Sequence, residues 1–140
     1  MAALSGRKKV EYSDTGGSYS ANINVGANVT VYSGALVAID ASGNAKVPNG
    51  VGSGVIVGIN LGGDYVNGAS ITSDFPLNVR NKLGVVVTIA AGLPLIGSLV
   101  YAPTDNVDDC TLTAGTNAKL GNIVDIVDAS SNKYLVLITL

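Results

Sequence analysis

The chain has 140 residues, ten acidic and eight basic side chains for a net charge of −2, and no histidine or tryptophan. That length suits one domain. The charge balance offers no field for nucleic acid, and the lack of histidine removes the commonest general base and zinc ligand, so no Ser-His-Asp or Cys-His pair can exist. Only 13% of residues are charged, against about 25% in an average soluble domain, so much of the surface is expected to be covered by lipid or by other protein chains.

The first 24 residues, "MAALSGRKKVEYSDTGGSYSANIN", differ from the rest. They hold Arg7, Lys8, Lys9, Glu11 and Asp14 and few branched aliphatics, and they read as an extended N-terminal arm ahead of a β-domain at 25–140. The opening apolar run precedes the charges, the reverse of a secretory signal, which predicts folding in the cytoplasm of the producing cell. Arg7-Lys8-Lys9 is either a solvated basic cluster or a docking element for an acidic patch on a partner. Tyr12 and Tyr19 either anchor the arm on a neighbouring subunit or pack on their own domain.

From Val25 onward, strand signals follow one another at intervals of about 8–12 residues. "NVTVYSGALVAID", "GVIVGIN", "ASITSDFPLNV", "LGVVVTIA", "GSLVYA", "CTLTAG", "GNIVDIV" and "KYLVLITL" are the segments. Helical periodicity is nowhere sustained, and "GTNAKLG" holds one helical turn at most. The class is all-β, a small single-domain barrel or sandwich-like fold with an extended N-terminal arm.

Residues 83–103, "LGVVVTIAAGLPLIGSLVYAP", carry no charge. Their length equals a membrane-spanning helix, for which roughly 20 apolar residues suffice. The β-branched run Val85–Val86–Val87–Ile89, the breaks at Gly92 and Pro94, and flanks without an aromatic belt or clustered Lys/Arg predict two buried strands instead. There is also an internal echo. "SGALVAID" at 33–40 matches "IGSLVYAP" at 96–103 with an offset of 63, pairing Gly34 with Gly97 and Leu36 with Leu99. "GVIVGI" at 54–59 matches "GNIVDI" at 121–126 with an offset of 67, which predicts a four-residue difference in the connection between them.

Three further features bear on chemistry. "DNVDD" at 105–109 crowds three aspartates without the late glutamate and spacing of a calcium loop, and reads as a solvated hairpin tip. "GVGSGVIVG" at 50–58 lacks the Lys-Ser/Thr end of a phosphate loop and reads as a turn and strand start. Cys110 is the sole cysteine, so no intrachain disulfide can form. No catalytic, cofactor or metal site is predicted.

The order "SGALVAID", "GVIVGI", "AAGLPLIGSLVYAP", a polar hairpin, "LGNIVDIVD" and a terminal "YLVLITL" resembles the head-decoration, or capsid cement, proteins of tailed bacteriophages, over residues 28–140. The resemblance implies a non-enzymatic structural protein of the virion, a homotrimer on the outer capsid surface. Its partner would be the major capsid protein, with no nucleic acid and no membrane. Arg7, Lys8, Lys9, Tyr12 and Tyr19 are the expected capsid-contacting residues. The alternative is a tail or fibre β-module binding a receptor or carbohydrate.

Overall fold

A computed structural model describes residues 3–14, 19–50, 54–69, 72–90 and 94–138. The strands are β1 (Tyr12–Ser13), β2 (Tyr19–Val25), β3 (Thr30–Val31), β4 (Leu36–Ile39), β5 (Ala45–Lys46), β6 (Val55–Ile59), β7 (Tyr65–Val66), β8 (Thr72–Asn81), β9 (Gly84–Thr88), β10 (Leu99–Ala102), β11 (Ala118–Asp128) and β12 (Lys133–Ile138). One 3-10 turn at Ala129–Ser131 joins β11 to β12. The all-β expectation holds. The main sheet runs β1-β9-β12-β11-β6-β4-β5-β2-β8, with β10 beside β11, and β3 and β7 form a separate ribbon. The path returns on itself where Ile59 of β6 meets Arg80 of β8. That closure rests on one residue pair, and the β2–β5 link on another, so the shape is sandwich-like and not a regular barrel.

Alternation along the strands explains why two cores form. In β4, Leu36 and Ala38 face one cluster while Val37 faces the other. In β6, Ile56 and Ile59 join the first cluster and Val57 the second. These two strands are therefore buried on both faces, which is why they read as continuous apolar runs without a polar face. Val85, Val87, Val100, Leu120, Ile123, Val136 and Ile138 also belong to the larger core.

The uncharged stretch 83–103 resolves into two strands, β9 and β10, but only β9 is mostly buried: in β10 Val100 and Ala102 are buried while Leu99 is exposed, and the expected break at Gly92 lies outside the described residues. The two do not pair: β9 lies between β1 and β12, and β10 lies along β11. No helix among the described residues is long and apolar enough to cross a membrane. "CTLTAG" is not a strand. Cys110 and Thr111 make only isolated bridges, to Ile89 and Tyr101, because residues 104–109 fold on their own side chains. Thr104 Oγ1 accepts from the Asn106 N–H, and Asn106 Oδ1 accepts from the Asp108 N–H. In "GTNAKLG" a single hydrogen-bonded turn, closed by Asn117 N–H donating to Ala114 O, leads into β11, and no helix follows.

The internal echo is structural. In both units a hydrogen-bonded turn precedes a strand, with Ala35 N–H donating to Tyr32 O and Ser98 N–H to Leu95 O. The glycines of these turns have φ of 88° at Gly34 and 94° at Gly97, the conformation that the third residue of a type II turn demands. Leu36 pairs with Ile59 and Leu99 with Asn122; Ala38 pairs with Ile56 and Tyr101 with Lys119. Both ladders shift register at the same place, between Val37/Ala38 and Val100/Tyr101. The structural offset is thus 63 throughout, and the offset of 67 for the second match is corrected. The strand equivalent to β6 is the first half of β11, with Gly58 corresponding to Gly121 and not Gly54. A Cβ on Gly58 would lie 2.2 Å from the Arg80 carbonyl oxygen, and one on Gly121 would lie 1.9 Å from that of Leu137. Each glycine lets the neighbouring strand approach.

Candidate docking surface

The N-terminal segment is held on its own domain from Leu4 to Asp14. Leu4 N–H donates to Asp105 Oδ1 at 2.9 Å, and Lys8 N–H donates to Ser33 O at 2.7 Å. Val86 N–H donates to Glu11 O, and Tyr12 pairs with Val85 in β1. Gly34 permits the crossing, since a Cβ there would sit 1.9 Å from the Lys8 carbonyl oxygen. Strand β2 begins at Tyr19, so the sheet takes in the later part of the basic, glycine-rich segment.

Side chains reinforce this path. Lys8 Nζ lies 2.6 Å from Asp108 Oδ2 with both partly buried, and Arg7 Nη2 lies 3.4 Å from Asp64 Oδ2 at an exposed site. Asp64 also accepts the Ser33 N–H, so it ties the turn to the segment. Asp14 pairs with Arg80 of β8.

The loop that receives the segment is "DNVDD". Its reading as a solvated tip is corrected: Asp105 is 2% exposed and Asn106 is 7% exposed. The physical reason lies far away in sequence. The Asp105 carboxylate is bound by the Leu4 N–H, and the Asp105 carbonyl accepts from Leu36 N–H. Burial raises the Asp105 carboxyl above its ordinary value, and hydrogen bonds from the Leu4 and Asp105 N–H groups oppose this only in part. Asp108 shows the reverse balance. Partial burial pushes its carboxyl up, but the Lys8 ammonium and the Thr88 hydroxyl outweigh that and hold it below the usual range. No group of three metal-ligating side chains converges among the described residues.

The five residues expected to contact a partner do not form one cluster. Lys8 and Lys9 line a groove of about 220 Å³ with Glu11, Thr88, Asp108 and Lys133. Arg7 lies apart against Asp64. Tyr12, 47% exposed, borders a second groove of about 300 Å³ with Ser20, Leu61, Asn78 and Arg80. Tyr19 opens β2 opposite Asn81. Among the described residues Lys9 makes no ion pair, so of the three basic side chains its charge is the one left for a partner.

Sequence reasoning missed Lys133, which β12 brings into the Lys8–Lys9 groove. It also missed a group of exposed aliphatics: Leu95, Ile96 and Leu99, and Val124, Ile126 and Val127 of β11. The signal was in the echo. Residues Tyr32-Ser33 of one turn are replaced by Leu95-Ile96 in the other.

No family model and no curated protein matches this chain. A chain from the capsid of the Myoviridae phage XM1 is similar in structure, with a TM-score of 0.52, 19% identity, and coverage of 98% of this chain and 91% of that one. At that identity the likeness shows the fold.

Proposed function

We propose that this is a non-enzymatic structural protein of a bacteriophage head, a decoration or cement protein bound to the outer capsid surface. The observation that carries this is the end-to-end likeness to a chain of a phage capsid. In the proposal the chain acts as a homotrimer that bridges neighbouring subunits of the major capsid protein. The contact is made by the outward side of the N-terminal segment, with Arg7, Lys9 and Tyr12 exposed, Lys8 at the groove and Tyr19 following on β2. The low charge of the chain, 13% of residues, supports adhesion as the activity. Three copies give such a surface high effective concentration once one has bound.

The test is co-sedimentation with purified shells lacking the protein. Lys9→Glu and Tyr12→Ala, both at exposed positions, are expected to weaken binding about tenfold each without changing thermal stability. Undiminished binding of the double variant would refute the N-terminal contact. Failure of the native protein to sediment with shells, alongside binding to tails or fibres, would refute the capsid assignment.

A further inference from the structure

The turns that begin β4 and β10 are built alike and used differently. Gly34 N–H donates to Asn60 O, and Gly97 N–H donates to Ile123 O; Asn60 N–H donates to Ala35 O, and Ile123 N–H donates to Ser98 O. The first turn is covered. The N-terminal segment crosses it, bonded to Ser33 O and packed on Gly34. The second turn is bare: a Cβ on Gly97 would meet nothing within 4 Å, and Leu95 and Ile96 are 68% and 64% exposed.

The strand beyond it diverges in the same sense. Asn60 turns the chain at the end of β6, donating to Val31 O, Tyr32 O and Gly63 O and accepting from Gly62 N–H. Its counterpart Ile123 has no such group, and β11 runs on to Asp128. Pairing with β10 ends at Leu99 and Asn122, so past Ile123 β11 is paired only with β12. Val124 and Val127 fall where the β11–β12 register shifts, and both are exposed. Bulges of this kind spoil an edge for strand addition. The surface is suited to side-chain packing instead.

We propose that the face formed by residues 95–99 and 124–127 is covered by a second copy of this chain. The inference rests on the self-association in the function proposed above and assigns it a surface. The two stretches are bonded to each other through Gly97, Ser98 and Ile123, and their six exposed aliphatics together show on the order of 500 Å² of largely apolar surface, the upper end of what a monomer leaves in water. That is about the apolar part of the roughly 800 Å² each partner gives to a standard interface. Asp125 is the only charged side chain within the two stretches, so the face has no ion-pair code for a basic or acidic partner. Apolar surface meets its complement in another copy of itself.

The test is light scattering with size exclusion on the full chain from about 1 to 100 µM. Ile96→Asp, at an exposed turn position, is expected to weaken self-association by at least about tenfold by placing a charge in the apolar contact. Val66→Asp is the control, since Val66 is 75% exposed on the separate β3–β7 ribbon; it is expected to leave association unchanged. A native chain that stays monomeric throughout, or association that survives Ile96→Asp, overturns the proposal. Amide exchange on the native chain gives the answer without a variant: slower exchange at residues 95–99 and 123–127 at the high concentration supports it, and unchanged exchange there overturns it. Shell binding is scored separately on the same preparations. A chain that associates through this face yet ignores shells supports the interface and refutes only the capsid role.

Discussion

Replacing Gly34 by alanine isolates the seating of the N-terminal segment, because the fold supplies its own control. Gly34 and Gly97 have nearly the same φ, 88° and 94°, so Ala at either position meets the same backbone strain, about 1–2 kcal/mol. Only at Gly34 does the new Cβ strike the Lys8 carbonyl, whereas at Gly97 it meets nothing. To make room, the segment must lift. That breaks the Lys8 N–H bond to Ser33 and strains the Leu4 N–H bond to Asp105, each with a net contribution of about 1 kcal/mol. The partly exposed Lys8–Asp108 pair adds up to about 1 kcal/mol. Gly34→Ala is therefore expected to destabilise by about 2–3 kcal/mol more than Gly97→Ala. In urea denaturation at low micromolar concentration this difference is several times the error of the fit. Trypsin provides a second readout: cleavage after Arg7, Lys8 and Lys9 should be fast in Gly34→Ala and slow in Gly97→Ala. Equal stability and equal cleavage of the two variants would refute the claim that the segment is held by close approach at Gly34.

Leu36 and Leu99 occupy equivalent positions, yet Leu36 is fully buried and Leu99 is 40% exposed; Leu36→Ala should cost about 2–5 kcal/mol and Leu99→Ala under about 1 kcal/mol in the monomer, measured by thermal unfolding. Asp108 sits below its ordinary carboxyl value in the fold, so its stabilisation is present above the ordinary value near 3.8 and lost as pH falls through the folded one; Asp108→Asn should flatten the acid limb of a stability–pH curve. Asp105 has the opposite sign. Its folded value is raised, so its contribution is fullest below the ordinary value and declines as pH rises through the folded one. Asp105→Asn keeps an oxygen for the Leu4 N–H and should leave the urea midpoint at pH 7 equal or higher, and a lower midpoint would contradict the burial account. The Cys110 thiol is buried and pushed up by burial, with Asp109 and Asp108 adding to the effect; thiol reagents should label the native chain at least about a hundredfold more slowly than the urea-unfolded one.

What was legible in the sequence was local. β-branched runs between glycine turns revealed the class and most strands, and "GALV" against "GSLV" revealed the duplicated turn and strand. In the second half of the duplication the matching glycine letters do not mark equivalent positions. Gly54 stands next to "VIVGI" as Gly121 stands next to "NIVDI", but the residue with Gly121's task is Gly58, and that task depends on Arg80 and Leu137 in neighbouring strands. The same limit hid the burial of "DNVDD". Asp105 and Leu4 are 101 positions apart, and three acidic letters in a row carry no mark of a partner so remote. Among the candidate contact residues, Lys8 and Lys9 were found as a cluster, while Lys133 could enter their groove only through the β9–β12 pairing.

The latch that Leu4 and Lys8 form also sets an order of events during synthesis. The segment leaves the ribosome before its partners, since Ser33, Asp105 and Asp108 follow it by tens to a hundred residues. The turn-and-hairpin units at 32–60 and 95–123 close on contacts local to each. The segment touches both units, at Ser33 and at Asp105, so it can settle only after the second is complete. The segment is therefore made before the residues that hold it, and until they follow it is free to meet another molecule.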